Sequence, residues 1–163
     1  MPTQTLDPAF HDLLQGRYIA SLATQNPDGT GHLTAVWYLF DSGSLFIATS
    51  SKSRKARNVV ARPTASLMVD VRKAAAERGF TATGTAEIIS GEPSRQLNRR
   101  IHARYLSAAA IADPHVEPVF AAFDDITLRI TSISWTAWDL SVLDAQAFGG
   151  RLGKTPGYLL PLD

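Results

Sequence analysis

The first half of the chain is cut by turn signals into runs too short for helices, and inside those runs apolar and polar residues alternate. Tyr18 to Thr24 is rich in strand formers and ends at Asn26-Pro27-Asp28-Gly29. Asp-Gly between two strand-like runs predicts a hairpin. The returning run, His32 to Phe40, puts Leu33, Ala35, Trp37 and Leu39 on one face and Thr34, Val36 and Tyr38 on the other. Asp41-Ser42-Gly43-Ser44 turns the chain into Leu45 to Ser50. Thr64 to Val71 and Arg78 to Ile89 read as two more strands, joined by an exposed, Ala-rich connection at Lys73 to Glu77. Five meandering strands with short connections imply antiparallel pairing, and closure into a barrel removes the exposed edges.

Helical period enters at few places. Asp7 as N-cap and Pro8 at the first helical position start a short helix with Phe10, Leu13 and Leu14 on its apolar face, and Gly16 stops it. Ser53 caps a second helix that runs through Val60 until Pro63 ends it. Pro93 to Ala112 reads as one longer helix, with Leu97, Ile101, Tyr105 and Leu106 on one side and Arg95, Arg99 and Arg100 on the other. A short helix, Val116 to Phe123, follows Asp113-Pro114. Ile126 to Ile133 alternates again, and Trp135 to Leu140 extends that strand or adds another. The tail from Gly149 on, rich in Gly and Pro, is expected to be loosely ordered or wrapped on a partner. Neither a repeat nor a linker divides the chain. The expectation is one domain over residues 1–163, with a helical insert at about 92–123 and a tail at 141–163. Its class is mainly β (α+β), with six to seven antiparallel strands and flanking helices.

Composition narrows the chemistry. The chain has no cysteine, which removes disulfides, cysteine zinc sites and thiol nucleophiles. Sixteen Lys plus Arg against 15 Asp plus Glu give a net charge of +1, without the basic excess of a nucleic-acid binder. No run approaches a membrane span and no secretory signal is visible, so a cytoplasmic location is expected. His11, His32, His102 and His115 lack metal-ligand spacing, and no Gly-x-Ser-x-Gly elbow supports a hydrolase.

One segment stands apart. In Thr49-Ser50-Ser51-Lys52-Ser53-Arg54-Lys55-Ala56-Arg57-Asn58 cations crowd the start of a helix that follows an apolar strand, and no acidic residue occurs between Asp41 and Asp70. A helix N-terminus offers free N–H groups and partial positive charge, Arg offers a bidentate fork, and Ser50, Ser51 and Ser53 offer hydroxyls. This pattern suits a phosphate ester. The alternative is a solvated basic helix face. Against it stand the confinement of the charges to one turn and their place at the end of a strand that would point to a barrel mouth.

Phe46-Ile47-Ala48-Thr49, then Ser53-Arg54-Lys55-Ala56, then Pro63-Thr64-Ala65-Ser66-Leu67 resembles the pyridoxamine 5′-phosphate oxidase superfamily. Those enzymes and their flavin and deazaflavin reductase relatives share a split β-barrel and a Ser-Arg-Lys-Ala turn at this place. The similarity takes in the Asp28-Gly29 hairpin, the strand Leu33 to Tyr38 and Gly84-Thr85-Ala86-Glu87, covering roughly residues 10–90 and, more weakly, 125–140. The resemblance implies that FMN is the cofactor, its phosphate gripped by Arg54 and Lys55 with help from Thr49, Ser50 and Ser53, and its ring lying along the backbone of Val36 and Trp37. It also implies a homodimer whose second subunit completes the flavin cleft. Where the oxidase has a flavin-touching Gln this chain has Gly79. The oxidase's C-terminal Arg–His pattern has only a faint echo in Gly150-Arg151-Leu152-Gly153. Pyridoxamine phosphate oxidation itself is therefore not expected.

Three functions follow. The first is an FMN-dependent oxidoreductase acting on a small redox substrate. The second is a reductase using the 5-deazaflavin coenzyme F-420, whose long anionic tail would draw on Lys52 and Arg57. The third is a non-catalytic flavin- or haem-binding stress protein, with His32 as the candidate axial ligand. Trp135 and Trp138 read as core or dimer packing, or else as a wall over the flavin.

Overall fold

A computed structural model describes residues 4–161. Asp7 accepts the Ala9 N–H at 2.9 Å and opens a single 3-10 turn, Pro8–Phe10, that runs into α1 (His11–Gln15). Seven strands follow in chain order: β1 (Ala20–Gln25), β2 (Gly31–Val36), β3 (Leu39–Asp41), β4 (Ser44–Thr49), β5 (Thr64–Val71), β6 (Arg78–Ile89) and β7 (Ile126–Asp139). Between β4 and β5 lies α2 (Arg54–Ala61). Between β6 and β7 lie α3 (Gly91–Tyr105), α4 (Ala108–Ala112) and α5 (Glu117–Phe123). Two helices follow β7, α6 (Leu140–Ala147) and α7 (Arg151–Lys154), and of these α7 lies in the tail from Gly149 on that was expected to be loosely ordered. Asp144 fastens them by accepting the Leu152 and Gly153 N–H groups at 3.0 and 2.9 Å.

All the strands pair antiparallel in one sheet of order β2-β1-β5-β6-β7-β4-β3. This is not the simple meander that the short connections suggested. The run expected as one strand over His32 to Phe40 breaks at Trp37 and Tyr38, and its two halves, β2 and β3, form opposite edges of the sheet. Two residues cannot span an open sheet, so the sheet has to curl until its edges meet there. The result is a split barrel, closed by the chain itself.

Tyr38 makes that break tolerable. Its side chain is fully buried, and its hydroxyl donates to the Leu13 carbonyl at 2.7 Å. Burial pushes the phenol well above its usual range, so it stays a donor. The Tyr105 hydroxyl bridges the same gap by donating to the Tyr18 carbonyl at 2.8 Å.

Inside the curl the core is apolar, with Leu22, Leu45, Ile47, Leu67, Phe80, Leu128 and Ile130 all buried. Trp135 is buried too and packs edge-on to Phe40 and Phe80. It belongs to β7, which runs unbroken through the stretch where a further strand was an option. A bulge lies between Thr83 and Thr85, opposite Ser132 at φ 50, and bends the sheet. Gly84 sits in it against the Thr131 carbonyl oxygen, where a side chain has no room.

The expected helix Pro93 to Ala112 is two, interrupted at Leu106 and Ser107. Its inner face is also more polar than the sequence suggested, with Ser94, Asn98 and His102 buried beside Ile101. Among the described residues, no helix is long and apolar enough to cross a membrane, and no group of His, Asp and Glu could hold a metal ion.

Candidate functional site

The basic turn forms where β4 stops. The Ser53 N–H donates to the Ser50 carbonyl at 3.0 Å, and the Lys52 N–H donates to Ser50 Oγ at 3.2 Å. Ser53 Oγ accepts the Ala56 N–H at 3.2 Å and so caps α2, while its contact with Thr49 Oγ1 at 3.3 Å ties the cap to the strand end. As at any helix start, the first N–H groups, those of Arg54 and Lys55, have no acceptor within the helix. The Arg54 side chain is exposed, whereas Lys55 is half-buried.

Beside the turn is a cavity of about 300 Å³ lined by Val36, Trp37, Thr49 and Lys55. That volume is at the lower end of the roughly 300–1,000 Å³ usual for small-molecule sites. Ile19, Ala35 and Ala48 make its wall apolar. Burial lowers the Lys55 pKa, and the charge of Asp124 partly offsets the effect. The seven residues singled out from sequence thus fall into two groups. Val36, Trp37, Thr49 and Lys55 share the cavity, while Ser50, Ser53 and Arg54 belong to the turn outside it. The basic turn and the apolar cavity, side by side, fit a ligand with an anionic end and a flat apolar body.

The helical insert supplies what the motif did not reveal. Phe120 and Asp124 complete the cavity wall. The Trp37 ring stacks on Tyr105 (centroids 4.9 Å apart, planes at 4°) and on Phe120 (5.3 Å, 26°). Asp125 accepts from the Ser51 N–H and the Ser51 hydroxyl, both at 2.6 Å, and these two donors hold its carboxyl below the usual range. Ser51, read as a donor for an external anion, is therefore engaged by the protein's own carboxylate. Nor are the cations as isolated in space as in sequence, since Asp124 shares the cavity with Lys55. Asp124 in turn sits 2.9 Å from Nε2 of the buried His102.

Other singled-out positions lie elsewhere. His32 pairs with Thr24 in the β1–β2 ladder and does not line this cavity. Gly79 lies opposite Trp138, where an added Cβ would come within 2.6 Å of the Val69 carbonyl oxygen and 2.5 Å of the Trp138 ring. A Gln is thus sterically excluded there. Arg151 and Lys154 are exposed on α7. The Arg57 guanidinium folds back to donate to the Lys52 carbonyl at 2.7 Å.

Comparison with known proteins agrees with this architecture. No curated protein matches the sequence. Among solved structures, the conserved hypothetical protein Rv2991 from Mycobacterium tuberculosis superposes with a TM-score of 0.70 at 26% identity, over 85% of this chain and 88% of that one. An F420 reductase superposes with a TM-score of 0.65 at 23% identity, over 80% and 98%. HutZ, the haem storage protein of Vibrio cholerae, gives 0.58 at 19% identity, over 77% and 87%. The last two are similar in fold. The family model for pyridoxamine 5′-phosphate oxidase matches residues 6–134, which takes in the basic turn, the helical insert and the curled sheet up to the middle of β7. The chain belongs to the pyridoxamine 5′-phosphate oxidase family.

Proposed function

We propose that the protein is a flavin-dependent oxidoreductase that binds FMN at the basic turn and the adjoining cavity. The observation that carries this reading is Lys55. It is a half-buried cation, with no closed ion pair among the described residues, between a helix N-terminus and an apolar cavity walled by Trp37. A cation kept in that setting costs desolvation unless an anion meets it. The phosphate would take the free N–H groups at the start of α2, the Arg54 fork and the Lys55 ammonium, leaving the rest of the cavity to the ring. Bound flavin would supply hydride chemistry, and the chain's own part is to bind, orient and tune it. Family membership supports the cofactor class. A deazaflavin, whose phosphate and ring would make the same demands, is the alternative.

The test is cofactor identity and grip. Purified protein should carry or take up FMN, visible as a flavin absorption band and identified by mass spectrometry. Arg54→Ala combined with Lys55→Ala should weaken FMN binding by about 3–5 kcal/mol, as two charge-assisted phosphate contacts are lost. The fold should persist, because both side chains lie outside the apolar core. Unchanged affinity in the double variant would place the phosphate elsewhere.

A further inference from the structure

Trp37 carries an aromatic ring on each face. Tyr105 stacks on it with centroids 4.9 Å apart and Phe120 with centroids 5.3 Å apart. Two rings on one face of an indole would touch each other, and among the described residues no ring contact joins Tyr105 to Phe120. The two neighbours are held very differently. The Tyr105 hydroxyl donates to the Tyr18 carbonyl at 2.8 Å, so this ring is tied into the closure of the barrel. Phe120 belongs to α5, where none of the described residues is buried and where Val119 and Phe123 are 47% and 69% exposed. The helix starts at Val116 without a side-chain cap, and α4 before it buries none of its described residues either. Its far end is fastened through Asp124, whose carbonyl accepts from Asn98 Nδ2 at 2.8 Å and whose Oδ2 lies 2.9 Å from His102 Nε2. Segments with so little buried surface open at small free-energy cost.

Phe120 also lines the cavity of about 300 Å³, together with Trp37, Thr49 and Lys55. A planar ligand anchored by its phosphate at Lys55 and the start of α2 gains most by lying on an aromatic face, in the offset stack such rings prefer. Of the residues lining the cavity, only Trp37 and Phe120 are aromatic, and they cover each other. The Tyr105 face of Trp37 is closed by the barrel seam. The phenyl ring of Phe120 and the ring of a ligand therefore compete for the other face.

We propose that Phe120 is a specificity-determining residue: it holds the place on Trp37 that the ligand ring takes, and the ring displaces it as α5 swings about Asp124. The proposal rests on the flavin reading above and goes beyond it. Displacement sets a threshold. A broad fused ring recovers more on Trp37 than the phenyl ring gives up, whereas an anion that needs only the basic turn never meets Phe120. The selectivity is thus for flat, extended heterocycles, and it is a property of the ring rather than of the phosphate.

The experiment compares FMN, riboflavin and inorganic phosphate on wild-type protein and on Phe120→Ala. Flavin dissociation constants come from fluorescence quenching, and that of phosphate from competition with FMN. FMN and riboflavin should each bind Phe120→Ala about threefold to tenfold more tightly than wild type, the worth of one aromatic pair. Phosphate should bind both proteins alike. Loss of a fixed wall, or damage to the fold, would weaken the flavins instead, so the direction of the change separates displacement from a merely structural role. Weaker or unchanged flavin binding by a folded Phe120→Ala overturns the proposal while the flavin reading stands. A second measurement needs no variant to fold. In stopped flow, the rate of FMN uptake by wild-type protein should level off as FMN is raised, because α5 has to move. A rate that climbs linearly up to millimolar FMN overturns the proposal. Wild-type protein that takes up neither flavin overturns the flavin reading, and the proposal with it.

Discussion

Lys55 titrates under conditions that few surface lysines meet. Burial disfavours its ammonium form and lowers its pKa, with Asp124 working in the opposite direction. Anion affinity contributed by Lys55 is complete where the ammonium is protonated and falls as pH rises through the lowered value. Stability responds with the other sign. The unfolded chain holds this proton more tightly than the fold, so across the window between the lowered pKa and the ordinary lysine value the folded state gains stability as pH rises. The expected outcome is an FMN affinity whose alkaline limb begins below the ordinary lysine range of about 10.4, unaccompanied by unfolding. Lys55→Met should lower the affinity at neutral pH and remove that limb. A fluorescence titration between about pH 7 and 10 checks both, and a limb that survives in Lys55→Met belongs to another group.

At the scale of elements, α3 holds the site in register through a polar face. Ser94, Asn98 and His102 recur every fourth residue and line one side of the helix. Thr127 Oγ1 donates to Asn98 Oδ1 at 2.6 Å and lies 2.9 Å from Ser94 Oγ, while Asn98 Nδ2 donates to the carbonyls of Asp124 and Ile126 at 2.8 and 3.1 Å. Asn98→Ala should cost about 2–3 kcal/mol in urea unfolding, since it strands buried acceptors and a hydroxyl. Leu97→Ala, at a half-buried position, should cost less. A loss below about 1 kcal/mol for Asn98→Ala would mean that water replaces the amide.

This face shows where reading the sequence stops. Strand alternation, the Asp-Gly turn and the cap at Ser53 are local, and they placed β5 and β6 to the residue. The motif residues that the structure gathers at the candidate site, Thr49 and Lys55, were legible for the same reason. The partners from the insert were not. Asp125 reaches Ser51 from 74 positions away, and His102 was one of four scattered histidines until the fold set its Nε2 2.9 Å from Asp124. The apolar stripe assigned to α3 does face inward, with Ile101 buried, but it shares that side with Ser94, Asn98 and His102 because the helix packs against the entry to β7, where free carbonyls need donors. The break at Trp37 and Tyr38 escaped because strand period continues through it. Only the barrel's closure demands that these two residues pass from one sheet edge to the other.

For the whole molecule the open question is what covers the outer face of β1 and β2. Leu33 is 70% exposed there, opposite Ala23, and Ala35 is exposed opposite Ser21. Ile19, 55% exposed, adds apolar surface. Ile19 and Ala35 also line the cavity, so this face and the cofactor site share a rim. We propose that a second copy of the chain packs here about a two-fold axis, burying the face and completing the cavity. The interface should be largely apolar and exceed roughly 2,000 Å² in total, the size class of obligate dimers. Leu33→Glu would place a charge in the middle of that face. It should yield a folded monomer by light scattering and circular dichroism, and weaken FMN binding tenfold or more as the rim opens to water. Val119→Glu, on the exposed side of α5, should leave assembly unchanged. Wild-type protein that is monomeric at micromolar concentration would rule out the dimer. A dimer that persists in Leu33→Glu would move the interface to another surface, and the FMN affinity of that variant would then report the rim alone.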